Sequence, residues 1–266
     1  MRLARLLAVA TLLLTTAACT DAAPEAKPSA TPTPPPTASP APQPPANGCY
    51  DLAYAAAIAA TSDAKPVPCR TAHTARTYFV GPAATLTPSG HLLAVDSERV
   101  RNQMATECPR RFAAYVGGSR EQRRLSMLSA IWFGPSLEES DAGQSWVRCD
   151  VIALAAEGRL ARLGGTLKKV LDSEAGRDRW GRCATAKPGS RGAQQVICSA
   201  RSSWRAVATL DVKGLRQARA AGSACEDRVR DLADDKLTFT WGWTPPTRAQ
   251  WRAGQHYGFC WAPKGQ

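Results

Sequence analysis

The chain has 266 residues, with 34 basic and 22 acidic side chains and a formal net charge of +12. Ten of its 20 prolines fall between Pro24 and Pro45, which sets a front end apart from a body of about 219 residues starting at Gly48. A body of that length can bury a core. No later run approaches the ~18 consecutive apolar residues of a spanning helix, so a chain crossing a membrane several times is not expected.

Arg2 and Arg5 form a positive start and residues 6–14 an apolar stretch, so residues 1–18 are expected to be a signal peptide. Ala17 and Ala18 lead into Cys19, a sequence that resembles a bacterial lipobox with Thr16 at the usual aliphatic position. Lipidation of Cys19 is therefore expected, because two or more acyl chains anchor stably where one does not. Cleavage without lipidation would leave the protein secreted. Residues 19–47 hold no large apolar side chain beyond the cysteine and cannot offset their own ordering. Proline biases this tether to polyproline II at ~3.1 Å per residue, a reach on the order of 80 Å.

Beyond Cys19 the chain carries Cys49, Cys69, Cys108, Cys149, Cys183, Cys198, Cys225 and Cys260. An even number in an exported chain reads as four disulfides. Cys69 and His73 have a Cys-x3-His spacing, but there are only three histidines and no CxxC pair, so no metal site and no cofactor are expected.

The cysteines also expose an internal repeat. With Cys149 aligned on Cys260, Trp132 falls on Trp243, Pro135 on Pro246, Gly143 on Gly254, Gln144 on Gln255 and Trp146 on Tyr257. Cys108 with Arg111 matches Cys225 with Arg228, and Cys69 with Arg76 matches Cys198 with Arg205. The expected organisation is repeat 1 at 48–155, a connecting segment at 156–179 and repeat 2 at 180–266.

In chain order, residues 76–80 are short, aromatic or β-branched, and read as a strand. Residues 97–114 place Val100, Met104, Cys108 and Phe112 at i, i+4, an amphipathic helix. Residues 125–133 are an apolar strand stopped by Gly134-Pro135, and a further strand carries Trp146 and Cys149. A connecting helix is expected at 160–174. The pattern then recurs: strand 205–210, helix 215–232, strand 237–243 stopped by Pro245-Pro246, and a last strand with Tyr257 and Cys260. The fold class expected is α+β, two tandem units that each pack a small antiparallel sheet with one helix.

Asn47-Gly-Cys-Tyr-Asp51, Val67-Pro-Cys-Arg-Thr-Ala-His73 and Cys108-Pro-Arg-Arg-Phe-Ala-Ala-Tyr-Val-Gly117 resemble the septum-formation domain family, as do Trp132-Phe-Gly-Pro-Ser136 and Gly143-Gln-Ser-Trp-Val-Arg-Cys149. That family occurs in exported and membrane-anchored proteins of high-GC Gram-positive bacteria. The resemblance spans nearly all of 47–263 and is stronger in the first copy; Ser202 stands at the position of His73 in the second. It implies a part in septum formation and carries over no catalytic residue. The pairing expected with it is Cys49–Cys69, Cys108–Cys149, Cys183–Cys198 and Cys225–Cys260, although four cysteines per copy allow three connectivities. Each bridge would stabilise the fold by ~2–4 kcal/mol.

Catalytic motifs are sparse. Ser62-Asp-Ala-Lys65 matches a Ser-x-x-Lys pattern without its companion motifs, and Glu138, Glu139 and Asp141 share one loop that reads as a solvated turn. His73 reads as a hydrogen-bonding group beside a strand, and is retained as a binding candidate. Binding is favoured over catalysis. Arginine supplies 26 of the 34 basic residues, suited to phosphates and carboxylates of lipids or wall polymers. Nucleic acid is not expected in that compartment. Trp251 and Trp261 lack aromatic counterparts in the first copy and are the candidates for an exposed partner-facing patch. The expected function is a non-catalytic binding or scaffolding lipoprotein of the envelope, with membrane contact through Cys19 and wall polymers or septal proteins as partners. A wall-active hydrolase or transferase, or an extracytoplasmic sensor module, is the alternative.

Overall fold

A computed structural model describes residues 43–265; the expected leader, Cys19 and the tether as far as residue 42 lie outside the described residues. The first half runs β1 (Cys49–Tyr50), α1 (Tyr54–Ala57), β2 (Ala75–Pro82), α2 (Glu98–Val116), α3 (Arg120–Arg124), β3 (Leu128–Phe133), α4 (Leu137–Asp141), β4 (Trp146–Ala156) and β5 (Arg159–Leu160). After a 3-10 turn (Val170–Asp172) the second half runs α5 (Glu174–Trp180), β6 (Arg182–Ala184), β7 (Gln195–Ile197), β8 (Trp204–Asp211), α6 (Leu215–Ala220), α7 (Gly222–Leu232), β9 (Gly242–Thr244), α8 (Arg248–Arg252) and β10 (Tyr257–Pro263). This is an α+β fold whose named strand pairs are all antiparallel.

Local chemistry sets these elements. Ser97 caps α2 by accepting from the Val100 amide, and Gly117, at φ 75°, ends it. Between them Val100, Met104, Cys108, Phe112 and Val116 make the buried stripe. This stripe packs on the face of β4 that carries Val147, Cys149 and Val151. The opposite face of β4, with Trp146 and Ile152, is covered by Tyr50, Leu52 and Phe133.

The two halves pair in the same register. Cys49 opposes Arg76 as Cys183 opposes Arg205, Cys149 opposes Phe79 as Cys260 opposes Ala208, and Trp132 opposes Cys149 as Trp243 opposes Cys260. The registers skip Tyr78 in β2 and Val207 in β8, so a bulge stands at the same place in each half. Four cysteine pairs lie at bonding distance, with Cα–Cα separations of 5.3 Å (Cys49–Cys69), 5.5 Å (Cys108–Cys149), 4.9 Å (Cys183–Cys198) and 5.4 Å (Cys225–Cys260). In each half one bridge closes the first strand onto the segment after it, and the other pins the long helix to the central strand.

Five sequence expectations are corrected. Residues 160–174 do not form a connecting helix: Gly164 and Gly165 interrupt it, and Lys169 adopts a left-handed conformation. Leu163, Leu167 and Leu171 instead enter a shared core with Phe112, Trp180 and Ile197, so the connecting segment joins the halves through packing. The expected helix 215–232 is two helices broken at Ala221, and the expected strand 237–243 shrinks to β9, leaving Leu237 95% exposed. The strand expected at 125–133 starts at Leu128, because the capped α3 and a turn precede it. Finally, the two sheets are continuous, because Ala156 at the end of β4 pairs with Val196 of β7.

Candidate functional site

The structure separates the three residues singled out for binding. His73 is 2% exposed; its Nδ1 lies 2.8 Å from the Thr71 carbonyl, and its own carbonyl accepts from Leu163. Buried against this connecting segment, the imidazole is not available at the surface. Trp261 is fully buried at the centre of β10 and donates through Nε1 to the Thr244 hydroxyl, so it is core and forms no exposed patch. Its burial follows from the register: it lies on the same face of β10 as Phe259, packed under Trp204 and Ala184. Trp251 alone remains near solvent, half-buried on α8 with its ring centroid 4.3 Å from that of the exposed His256 and tilted 33° to it. Ser62 accepts from the Ala64 amide, and Lys65 is exposed. Glu139 closes the cap of α4 by accepting from the Ser136 amide, a structural duty for one member of the acidic loop.

Sequence reasoning missed a buried ion pair. Arg148 and Asp150, two apart on β4, are 2% and 0% exposed, with Nε 3.0 Å from Oδ2. Thr77 donates to the other Asp150 oxygen at 2.7 Å, and the guanidinium lies between the rings of Tyr50 (4.0 Å) and Phe133 (4.4 Å). Burial pushes the Asp150 carboxyl up to about 6, against the opposing pull of Arg148 and Thr77. At the same offsets around Cys260 stand Phe259 and Trp261, and there Arg182 comes in from β6 to stack over Phe259. Each half thus buries one guanidinium against aromatic rings. The available signal was the Arg-Cys-Asp alternation, which puts both charges on the face opposite the bridged cysteine.

Two clefts open beside helices, one against α2 and one against α6. The first, of about 650 Å³, lies between α2 and the β2 and β4 strands, with Phe79, Met104 and Val147 as floor and Arg99, Gln103 and Arg111 on the rim. Arg111 stacks 3.6 Å over Phe79. It also shares Glu107 with Arg110, and these bonds hold the Glu107 carboxyl below its usual range. The second, of about 440 Å³, has Leu215, Pro245 and Pro246 as floor, with Arg216, Arg219 and Arg248 around it. Arg216 sits at the same offset before Cys225 as Arg99 before Cys108, so both clefts are flanked by an arginine at the start of the helical segment.

The turns around α4 and α8, the second of which lines the smaller cleft, match hydrogen bond for hydrogen bond. Ser136 and Thr247 each form a capping box, with Glu139 and Gln250 respectively. Gly143 and Gly254 each take positive φ (89° and 87°), and Gln144 and Gln255 donate back to the carbonyls of residues 139 and 250. Their charge does not match: Leu137, Glu138 and Glu139 in α4 stand where α8 has Arg248, Ala249 and Gln250. One scaffold therefore presents an acidic turn in the first half and a basic one in the second. No protein-family model, curated protein or solved structure matches the chain.

Proposed function

We propose that this is an exported envelope lipoprotein, held to the membrane through acylated Cys19, whose body serves as a non-catalytic binding or scaffolding module at the division septum. The observation that carries the reading is the fate of the cysteines. The eight of the described residues pair with one another, as they do in an oxidising, extracytoplasmic compartment, and Cys19 stands apart behind an apolar leader. Two open clefts with apolar floors and guanidinium rims support binding. The septal assignment rests on the resemblance of the cysteine-centred motifs to the septum-formation family. Imaging of a fluorescent fusion at native expression tests it: enrichment at new septa is expected, and a uniform outline at all stages of growth would contradict it.

A further inference from the structure

Several arginines of the second half are held by carboxylates. Arg205 is paired with Asp178, Arg228 lies 3.9 Å from Glu121, and Arg230 is shared between Glu226 and Asp227. Arg216, Arg219 and Arg248, by contrast, line one cleft that has no carboxylate in its lining, and no ion pair or hydrogen bond engages their guanidinium groups among the described residues. Arg216 and Arg219 are three apart on α6 and so share a helix face.

Both walls of the cleft are fixed. Trp243 donates from Nε1 to the Ala218 carbonyl at 2.8 Å and so ties α6 to β9. Gly258 on β10 leaves the space that the Trp243 indole fills, since a Cβ there would come within 2.3 Å of the ring. On the other wall, two prolines lead into the Thr247–Gln250 capping box, which sets where Arg248 begins α8.

We propose that this cleft binds a phosphate ester of the glycerol-phosphate kind, its oxygens held by Arg216, Arg219 and Arg248 and its carbon skeleton laid on Leu215, Pro245 and Pro246. Three guanidinium forks exceed what the two oxygens of one carboxylate can engage, whereas a phosphodiester sets four oxygens, two charged and two ester, around one tetrahedral centre. A volume of about 440 Å³ holds such a group together with its substituent. The first half supplies a contrast within the molecule. At the same offsets it keeps Arg99 but has Asn102 for Arg219 and Leu137 for Arg248, followed by Glu138. That half is expected not to bind phosphate. The proposal goes beyond the septal reading and depends on the folded body alone, so either can fail without the other.

The test is titration of the full chain carrying Cys19→Ser with glycerol-phosphate oligomers, with phosphatidylglycerol vesicles and with glutamate oligomers of matched charge. Saturable binding to the phosphate oligomers, the vesicles or both is expected, and the stronger of the two identifies whether polymer or lipid headgroup is the source. Arg216→Ala, Arg219→Ala and Arg248→Ala should each weaken it about tenfold, as loss of a charged hydrogen bond does. Arg219→Lys, which keeps the charge and loses the fork, should also weaken it, whereas Arg191→Ala and Arg201→Ala, exposed arginines outside the cleft, should not. Equal losses at Arg191 and Arg201, glutamate bound as well as phosphate, or no binding to either phosphate probe would overturn the proposal.

Discussion

Replacing Asp150 with asparagine should expose the energetics of the buried pair on β4. Unlike protonation, which the buried acid tolerates, the substitution puts an NH2 donor where one of the two oxygens facing Thr77 and Arg148 stood, and leaves Arg148 at 2% exposure without its counter-ion. Removing one member of a buried ion pair costs about 3–5 kcal/mol. The rings of Tyr50 and Phe133, at 4.0 and 4.4 Å, still face the guanidinium and offset up to about 2 kcal/mol of that. The net expectation is a loss of about 3 kcal/mol, which for a body of this size lowers Tm by roughly 6–12 °C. The double variant Arg148→Met with Asp150→Leu should regain most of it, because two desolvated charges are replaced together. The second half already folds with Phe259 and Trp261 at those offsets. Equilibrium unfolding in urea, with the disulfides intact, measures both variants. A double variant as unstable as the single one, or a single variant within about 0.5 kcal/mol of wild type, would refute the reasoning.

Asp150 also sets a pH dependence. Burial raises its carboxyl to about 6, so between the unfolded value of ~3.9 and that point the folded state holds the extra proton. Its contribution to stability is therefore fully present below ~3.9 and falls as pH rises towards 6, at up to about 1.4 kcal/mol per pH unit; Asp150→Asn should lose that slope in pH-resolved unfolding. Mild reductant without denaturant should open Cys49–Cys69 and Cys183–Cys198 first, because Cys69 is exposed and Cys198 half-buried, whereas both sulfurs of Cys108–Cys149 and Cys225–Cys260 belong to fully buried residues. Timed alkylation and peptide mapping would show the order, and simultaneous opening of all four would contradict it. Trp243→Phe removes the bond to the Ala218 carbonyl and should cost about 1 kcal/mol while raising hydrogen exchange in α6; unchanged exchange there would mean that the indole does not hold the wall.

The architecture was legible where residues act as fixed posts. Residues at matched offsets from the cysteines, the i, i+4 stripe of α2 and the proline stops after β3 and β9 each carry their meaning locally, and the registers fall where those posts put them. The connecting segment misled because Leu163 and Leu167 are spaced as on a helix, yet they reach the core from an irregular path that Gly164 and Gly165 impose. Trp261 was misplaced for a related reason. Lack of an aromatic counterpart says nothing of burial, and Trp261 stands at the same offset from Cys260 as the buried Asp150 from Cys149, on the covered face. The Arg148–Asp150 pair depends on lids supplied by Tyr50 and Phe133, remote in sequence, and the arginine cleft on Trp243 bringing α6 to the turn before α8. No window of sequence contains either set of partners.

The proposed lipoprotein is a chain cut before Cys19, acylated there and closed by four disulfides. The intact mass of protein extracted from membranes, alkylated without reductant, tests all three parts in one spectrum. The account predicts a chain of residues 19–266 carrying a diacylglyceryl group and no alkyl adducts on its eight other cysteines. A chain that retains residues 1–18, carries no lipid, or takes up alkyl groups on those cysteines would contradict it.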